Sequence, residues 1–418
     1  MKHSAVAIFA ASLCLVPLAA SQTAKTAEQI LAEPAVKAAM QDIVANEPHF
    51  IEEQIRLTEI PAPPFHETAR GLELKRLFTT AGLQNVRMDE TGNVLGDRPG
   101  TQPHPHLVIA AHQDTVFPEG TDVHVKRNGT VLTAPGIGDD DRGLAAMLAL
   151  IAAMDQAKLV TRGSLTFVAD VGEEGLGDSR GTKALFESTL KGQIDEFISI
   201  DGDRVAGVVN VGVGSYRYRV TFTGPGGHSY GAFGLGNPIH AMGRAIDHIS
   251  QIEVPEKPKT TYNVGRVGGG TSVNSIPFEA WFEFDERSAD VASLDAVDAK
   301  FKAAVQAGVD EENAFRHDKG KITVKLESVG IRPAGQTPPD SPIIQAAKAS
   351  VEALHLGEFE LSASSTDSNV PMHLGIPAMT MGGGGKGNGA HFLQESFDST
   401  DSYKGVQNLL LTALILLQ

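Results

Sequence analysis

Cysteine is nearly absent from this chain: among 418 residues there is one, Cys14. That excludes an internal disulfide and a thiolate metal centre, so any metal must be held by nitrogen and oxygen. Long apolar runs are also lacking. Residues 5–15 are too few to span a bilayer, and no later segment is long enough. Positive charge is in deficit, with 35 Lys and Arg against 51 Asp and Glu and a net charge of -16, which argues against nucleic acid as a partner. The run GGGGKGNG (382–389) lacks the Gly-Lys-Ser/Thr ending that a nucleotide-binding loop needs.

What is present points to a large exported protein. Hydrophobic residues at 41% are ample for packed cores, and 418 residues exceed what one core serves, so two domains are expected. Lys2 and His3 precede the apolar stretch and Ala19, Ala20 and Ser21 follow it, the pattern of an export signal cleaved near Ser21 or Gln22. Cys14 falls inside that signal, behind Leu13, a poor context for lipid attachment. The mature protein is expected to be soluble, without a membrane span, and periplasmic or secreted.

The chain is organised around LVIAAHQD (107–114), an apolar strand that ends in a histidine, an amide and an acid. Side chains alternate along a strand, so His112 and Asp114 face the same way and Asp114 can reach and orient the ring. Further strands end similarly: LTFVAD (165–170) runs into GEEG, FISI (197–200) into DGD, and AMTM (378–381) into the glycine run and His391. Helical spacing marks 48–60, 67–81, 143–157, 343–354 and 403–417, and the third of these is alanine-rich with almost no charge and hence buried. Strands alternating with helices describe an α/β layer, a mixed sheet flanked by helices, with its site along the carboxyl edge. From about Tyr216 the order becomes strand, helix, strand, strand, helix, strand, that of a ferredoxin-like α+β sandwich inserted in the larger layer. The expected division is a signal at 1–21, a first catalytic part at 22–213, the insert at 214–330 and a second catalytic part at 331–418.

Five residues stand at strand ends or loop starts on that edge: His112, Asp140, Glu174, Asp201 and His391. Two histidines and three carboxylates suit zinc, cobalt or manganese, and one carboxylate bridging two ions makes a two-metal site.

With these residues in order, the mature chain resembles the M20 family of metallopeptidases, the group of peptidase T-, acetylornithine deacetylase- and carboxypeptidase-like zinc hydrolases. The signatures are AHQDTV (111–116), GIGDDDRG (136–143), GEEG (172–175), IDGD (200–203) and GNGAH (387–391). The resemblance implies two Zn2+ per subunit, with Co2+ or Mn2+ as substitutes. It implies that His112 and Asp201 hold one metal, Glu174 and His391 the other, and Asp140 bridges them. Asp140 is chosen by counting back two positions from Arg142, which stands where the family has lysine; Asp139 and Asp141 are the alternatives. Asp114 becomes the partner of His112, and Glu173 the general base, since adjacent carboxylates point apart and one can bind metal while the other moves a proton. In the insert, a lid or dimerisation domain of a homodimer, His228, Asn274 and Arg287 are implied to bind substrate and stabilise the oxyanion, His228 across the dimer interface. Gly384, in the glycine run, is read as backbone approaching the substrate, and Asp367 of SSTDSN (364–369) as a pocket residue.

The expected activity is hydrolysis of amide bonds in short peptides, with removal of N-terminal residues favoured because the resemblance places aspartate, Asp201, where many aminopeptidases have it. An N-acyl amino acid deacylase or a carboxypeptidase is the rival within the family. A peptide-binding protein without catalysis is the rival outside it, and the retained Glu173 and Glu174 pair weighs against it.

Overall fold

In a computed structural model residues 24–418 are described, so the expected export signal and Cys14 lie outside the described residues. Strand His106–His112 lies inside a nine-stranded mixed sheet. It runs parallel to Ser164–Asp170 on one side and to Glu196–Ile200 on the other, and Ala378–Met381 continues the parallel set. Parallel pairing puts the carboxyl ends of all four strands on one edge. His112 is therefore opposite Asp170, and Met381 opposite Ile200, immediately before Asp201. Val94–Arg98 and Gly207–Gly212 flank this set in antiparallel pairing.

Helix Asp141–Gln156 is apolar on every side from Gly143 to Met154, and a helix with no polar face over that length is stable only when covered all round. It packs on the sheet strand His106–His112 and is covered by helices Pro34–Thr58 and Tyr403–Leu416. The sheet's other face buries Leu185, Phe186, Val370 and Met372. Helix Pro34–Thr58 starts well before the expected Pro48, which lies inside it. Val36, Ala39, Met40 and Ile43 repeat at helical spacing on the same buried face as Phe50, Ile51 and Leu57, and this tertiary burial outweighs the hydrogen bond that Pro48 cannot donate. Strands Gly207–Gly212 and Glu360–Ser364 were not legible, being short and glycine- or serine-bounded.

A separate four-stranded antiparallel sheet occupies Gly214–Arg332, in the spatial order Thr260–Gly269, Glu279–Ser288, Gly214–Thr223, Thr323–Arg332. Two helices, Pro238–Ser250 and Val291–Phe315, pack on it. This is the expected ferredoxin-like order. Strand Glu279–Ser288 shows the cause, alternating buried Ala280, Phe282 and Phe284 with the more exposed Trp281, Glu283 and Asp285. Phe284 stacks on Phe301 with ring centroids 3.9 Å apart. Among the described residues no helix is long and apolar enough to cross a membrane.

Candidate active site

The site forms where the parallel strands end. His112 leaves its strand fully buried, and its Nδ1 lies 2.9 Å from the backbone oxygen of Asp114. A ring that donates from Nδ1 to a carbonyl presents the Nε2 lone pair outward. That Nε2 lies 3.1 Å from Asp139 Oδ1, and His391 Nε2 lies 3.2 Å from Asp139 Oδ2. Glu174 Oε1 is 2.9 Å from the same His391 nitrogen. His112, Asp139 and Glu174 offer ligand atoms within 4.8 Å of one another.

The acid facing both histidines is thus Asp139, which corrects the expectation for Asp140. Each member of the run 139–141 has a different partner. Asp140 caps helix Asp141–Gln156, accepting from Gly143 N at 3.1 Å, and also accepts from the backbone N–H of His112 at 3.2 Å. Asp141 turns to the buried Arg70 at 2.8 Å. Arg142 was the wrong reference point because its guanidinium is taken up by the carbonyls of Gly383 and Ser402, to which it donates at 2.8 Å each, and by Glu47, so it does not mark which acid faces the histidines.

Asp114 also differs from expectation. Its carboxylate is 3.8 Å from the His112 ring, and its two oxygens instead accept the backbone N–H groups of Glu173, at 3.0 Å, and Glu174, at 2.9 Å. It orients His112 through its main chain and fixes the GEEG loop through its side chain. Glu395, which the sequence reading missed, does the same for the acidic loop: it accepts from the N–H groups of Gly136, Gly138 and Asp139 at 3.0, 2.8 and 2.9 Å. An otherwise unexplained acid four residues past His391 was the available signal.

Asp201 follows strand Glu196–Ile200 and shares with Asp139 a cavity of about 250 Å³ bounded also by Asp203, Asn388 and Phe397. Burial, then the nearby Asp139 charge, push its carboxyl up to about 7. Burial likewise pushes Glu173 up, against the opposing pull of Arg332. Hydrogen bonds to Asp139 and Glu174 hold the His391 imidazole up at about 10. The cluster therefore concentrates acids that stabilise positive charge at the point where the two ring nitrogens and the carboxylate oxygens meet. That charge balance, in an all nitrogen and oxygen donor set, fits divalent cations.

The other predicted residues are dispersed. His228 and Asn274 sit on the exposed ribbon of the insert, where Ser229 N donates to the Asn274 carbonyl at 3.0 Å. Neither makes a hydrogen bond or ion pair with the cluster among the described residues. The Nδ1 of His228 accepts from the N–H groups of Tyr230 and Gly231 at 3.2 Å each, which leaves Nε2 directed elsewhere. Arg287 lies on the outer face of the inserted sheet, its Nε held by Asp285 at 2.9 Å. Gly384 is corrected: it is buried, and a Cβ there would meet the Ser402 carbonyl at 2.2 Å, so its close approach is to the start of the last helix and not to a ligand. Asp367 is buried behind the site, bonded to Thr182.

An edge of parallel strands carrying two histidines, a shared carboxylate and a paired Glu-Glu defines a hydrolase class, and comparison with known proteins supplies the family. The chain belongs to peptidase family M20/M25/M40, matched over residues 108–414, and is accordingly an M20-family peptidase or amidohydrolase. It is 28% identical over 350 residues to the uncharacterized protein YqjE of Bacillus subtilis (strain 168), covering 81% of this chain and 91% of that one. Its fold is similar to that of aminopeptidase PepT from Bacillus cereus ATCC 10987, with a TM-score of 0.71 at 21% identity, covering 89% of this chain and 99% of that one. It is also similar to the YXEP protein of Bacillus subtilis, described as a dinuclear metal-binding peptidase of the M20 family, with a TM-score of 0.64 at 18% identity over 90% of this chain and 99% of that one.

Proposed function

We propose that the chain is an exported di-zinc aminopeptidase that removes N-terminal residues from short peptides. The observation that carries the metal assignment is Asp139, whose two oxygens each face a different histidine. In this reading His112 and Asp201 would hold one ion and Glu174 and His391 the other, with Asp139, which faces both histidines, serving both, and cobalt or manganese would substitute. Divalent ions bound there would polarise a scissile carbonyl and make a nearby water acidic enough to react at neutral pH.

The chain's own residues do the rest. Glu173 takes a proton from the attacking water and delivers it to the leaving nitrogen, for which its burial beside the site suits it. Asp114 holds the backbone of Glu173 and Glu174, so base and ligand keep a fixed spacing. Arg287 and Asn274 bind the substrate. Two copies pair through the inserted domain, and His228 reaches the neighbouring subunit's site with its outward Nε2, donating to the developing oxyanion. The aspartate at position 201 and the likeness to an aminopeptidase support the choice of end, and the charged and apolar pattern of residues 1–21 supports export.

A panel of one tripeptide in free, N-acetylated and C-amidated forms tests the reading. An aminopeptidase must anchor a free ammonium, so acetylation is expected to abolish cleavage and amidation to matter less. Cleavage of the acetylated compound with loss of the amidated one transfers the assignment to a carboxypeptidase or deacylase.

A further inference from the structure

We propose that Arg332 is a positioning residue for Glu173, holding one carboxylate oxygen so that the other is left to work on the attacking water. The inference rests on the reading of Glu173 as the base. Arg332 ends the last strand of the inserted domain, opposite Ser215 at the start of that domain's first strand, so it stands at the root where the chain passes between the two domains. Its Nη1 lies 2.7 Å from Glu173 Oε1 and 3.1 Å from Ser365 Oγ, and the Arg332 and Glu173 side chains are 6% and 7% exposed. The buried Nε of Arg332 has no partner. The guanidinium therefore approaches end-on, through one nitrogen. Among the described residues no hydrogen bond is made by Glu173 Oε2, and no second cation pairs with this carboxylate. Asp114 fixes the Glu173 main chain and Arg332 fixes its tip, which together select one rotamer of a side chain that would otherwise lose several on ordering.

Two further contacts separate this role from a general one of fastening the domains. Arg217 donates to the Gly175 carbonyl at 2.9 Å and Lys183 to the Ile331 carbonyl at 2.8 Å, so the root of the insert stays tied to the same region when Arg332 is changed.

The test uses the full-length mature protein and the best free tripeptide of the panel, with zinc content and Tm measured for each variant. Arg332→Met is expected to lower kcat by about 30-fold with KM within about threefold and zinc content unchanged, and Arg332→Lys to restore most of kcat. In a Glu173→Gln background the same Arg332→Met change is expected to cost less than about twofold, because the residue it positions is already disabled. Equal losses in both backgrounds, or a raised KM at unchanged kcat, overturn the proposal in favour of a structural or substrate-binding arginine. If Arg332→Met does not fold, Arg332→Gln, which also removes the cation facing Glu173, decides: a reduced kcat at unchanged KM supports the role, and wild-type kinetics overturn it. A wild type that cleaves no amide overturns the functional reading and the inference with it, whereas an active wild type with an equally active Arg332→Met overturns the inference alone.

Discussion

Glu174 Oε1 and His391 Nε2 lie 2.9 Å apart although 217 positions separate them along the chain. The carboxylate sits in the GEEG loop after the parallel strand Ser164–Asp170, and the imidazole follows the short antiparallel strand Lys386–Asn388, which the chain reaches after the parallel strand Ala378–Met381. Asp139 adds the third side of the arrangement from the loop ahead of the buried helix.

Separating the two acids of the GEEG loop is the first check on their roles. Glu173→Gln is expected to keep near-normal zinc content while activity falls by about 100- to 10,000-fold, since the amide cannot accept the proton. Loss of both metals from that variant, measured by elemental analysis, would mean that Glu173 is a ligand.

Asp139 and Asp140 are adjacent, yet their substitutions should behave differently. Asp139→Ala removes the oxygens facing both histidines and should lower zinc stoichiometry. Asp140→Ala removes a helix cap and should destabilise the metal-free protein by about 1 kcal/mol in urea unfolding, with the smaller effect on zinc. The reverse pattern in zinc content returns the bridging role to Asp140.

Mixing two inactive variants tests whether His228 serves the neighbouring subunit. Glu173→Gln and His228→Ala, exchanged into heterodimers, should regain partial activity because one site of each pair then has both residues. No recovery after verified subunit exchange favours a site completed within one chain.

A pH prediction can be made away from the metal cluster, in the core of the inserted domain. Both carboxylate oxygens of Glu286 are buried without partners, and burial, then the nearby Asp298, push this group up to about 8 from its ordinary value of 4.5, with Lys302 opposing. Between those two values the folded protein keeps a proton that the unfolded chain has released, so the Glu286 contribution to stability falls as pH rises through that window. Glu286→Gln should therefore raise Tm relative to wild type at pH 9 and give no such gain at pH 4. An equal difference at both pH values would show that the side chain is not titrating there.

Much of this protein was determined by local sequence. Apolar runs of strand length ending in His112, Asp170 and Ile200, and the helix after the acidic loop, apolar from Gly143 to Met154, specify a buried layer covered on both faces, because such runs are hidden from water only when both sides are covered. The period-two alternation in Glu279–Ser288 likewise specified a one-sided sheet for the insert. What sequence could not decide is which member of a run of like residues faces the site. Asp139, Asp140 and Asp141 are chemically the same, and only the packing of Arg70 against one, a helix terminus on another and two distant histidines around the third distinguishes them. Asp114 is a similar case, since its side-chain partners are backbone N–H groups 59 and 60 positions away. Arg332 left no signal at all: a single arginine at the end of a strand becomes a partner of Glu173 only because the inserted domain returns the chain to within 2.7 Å of it. Burial pattern is a property of neighbouring residues and can be read along the chain, whereas the pairing of buried charges depends on contacts that only the completed fold creates.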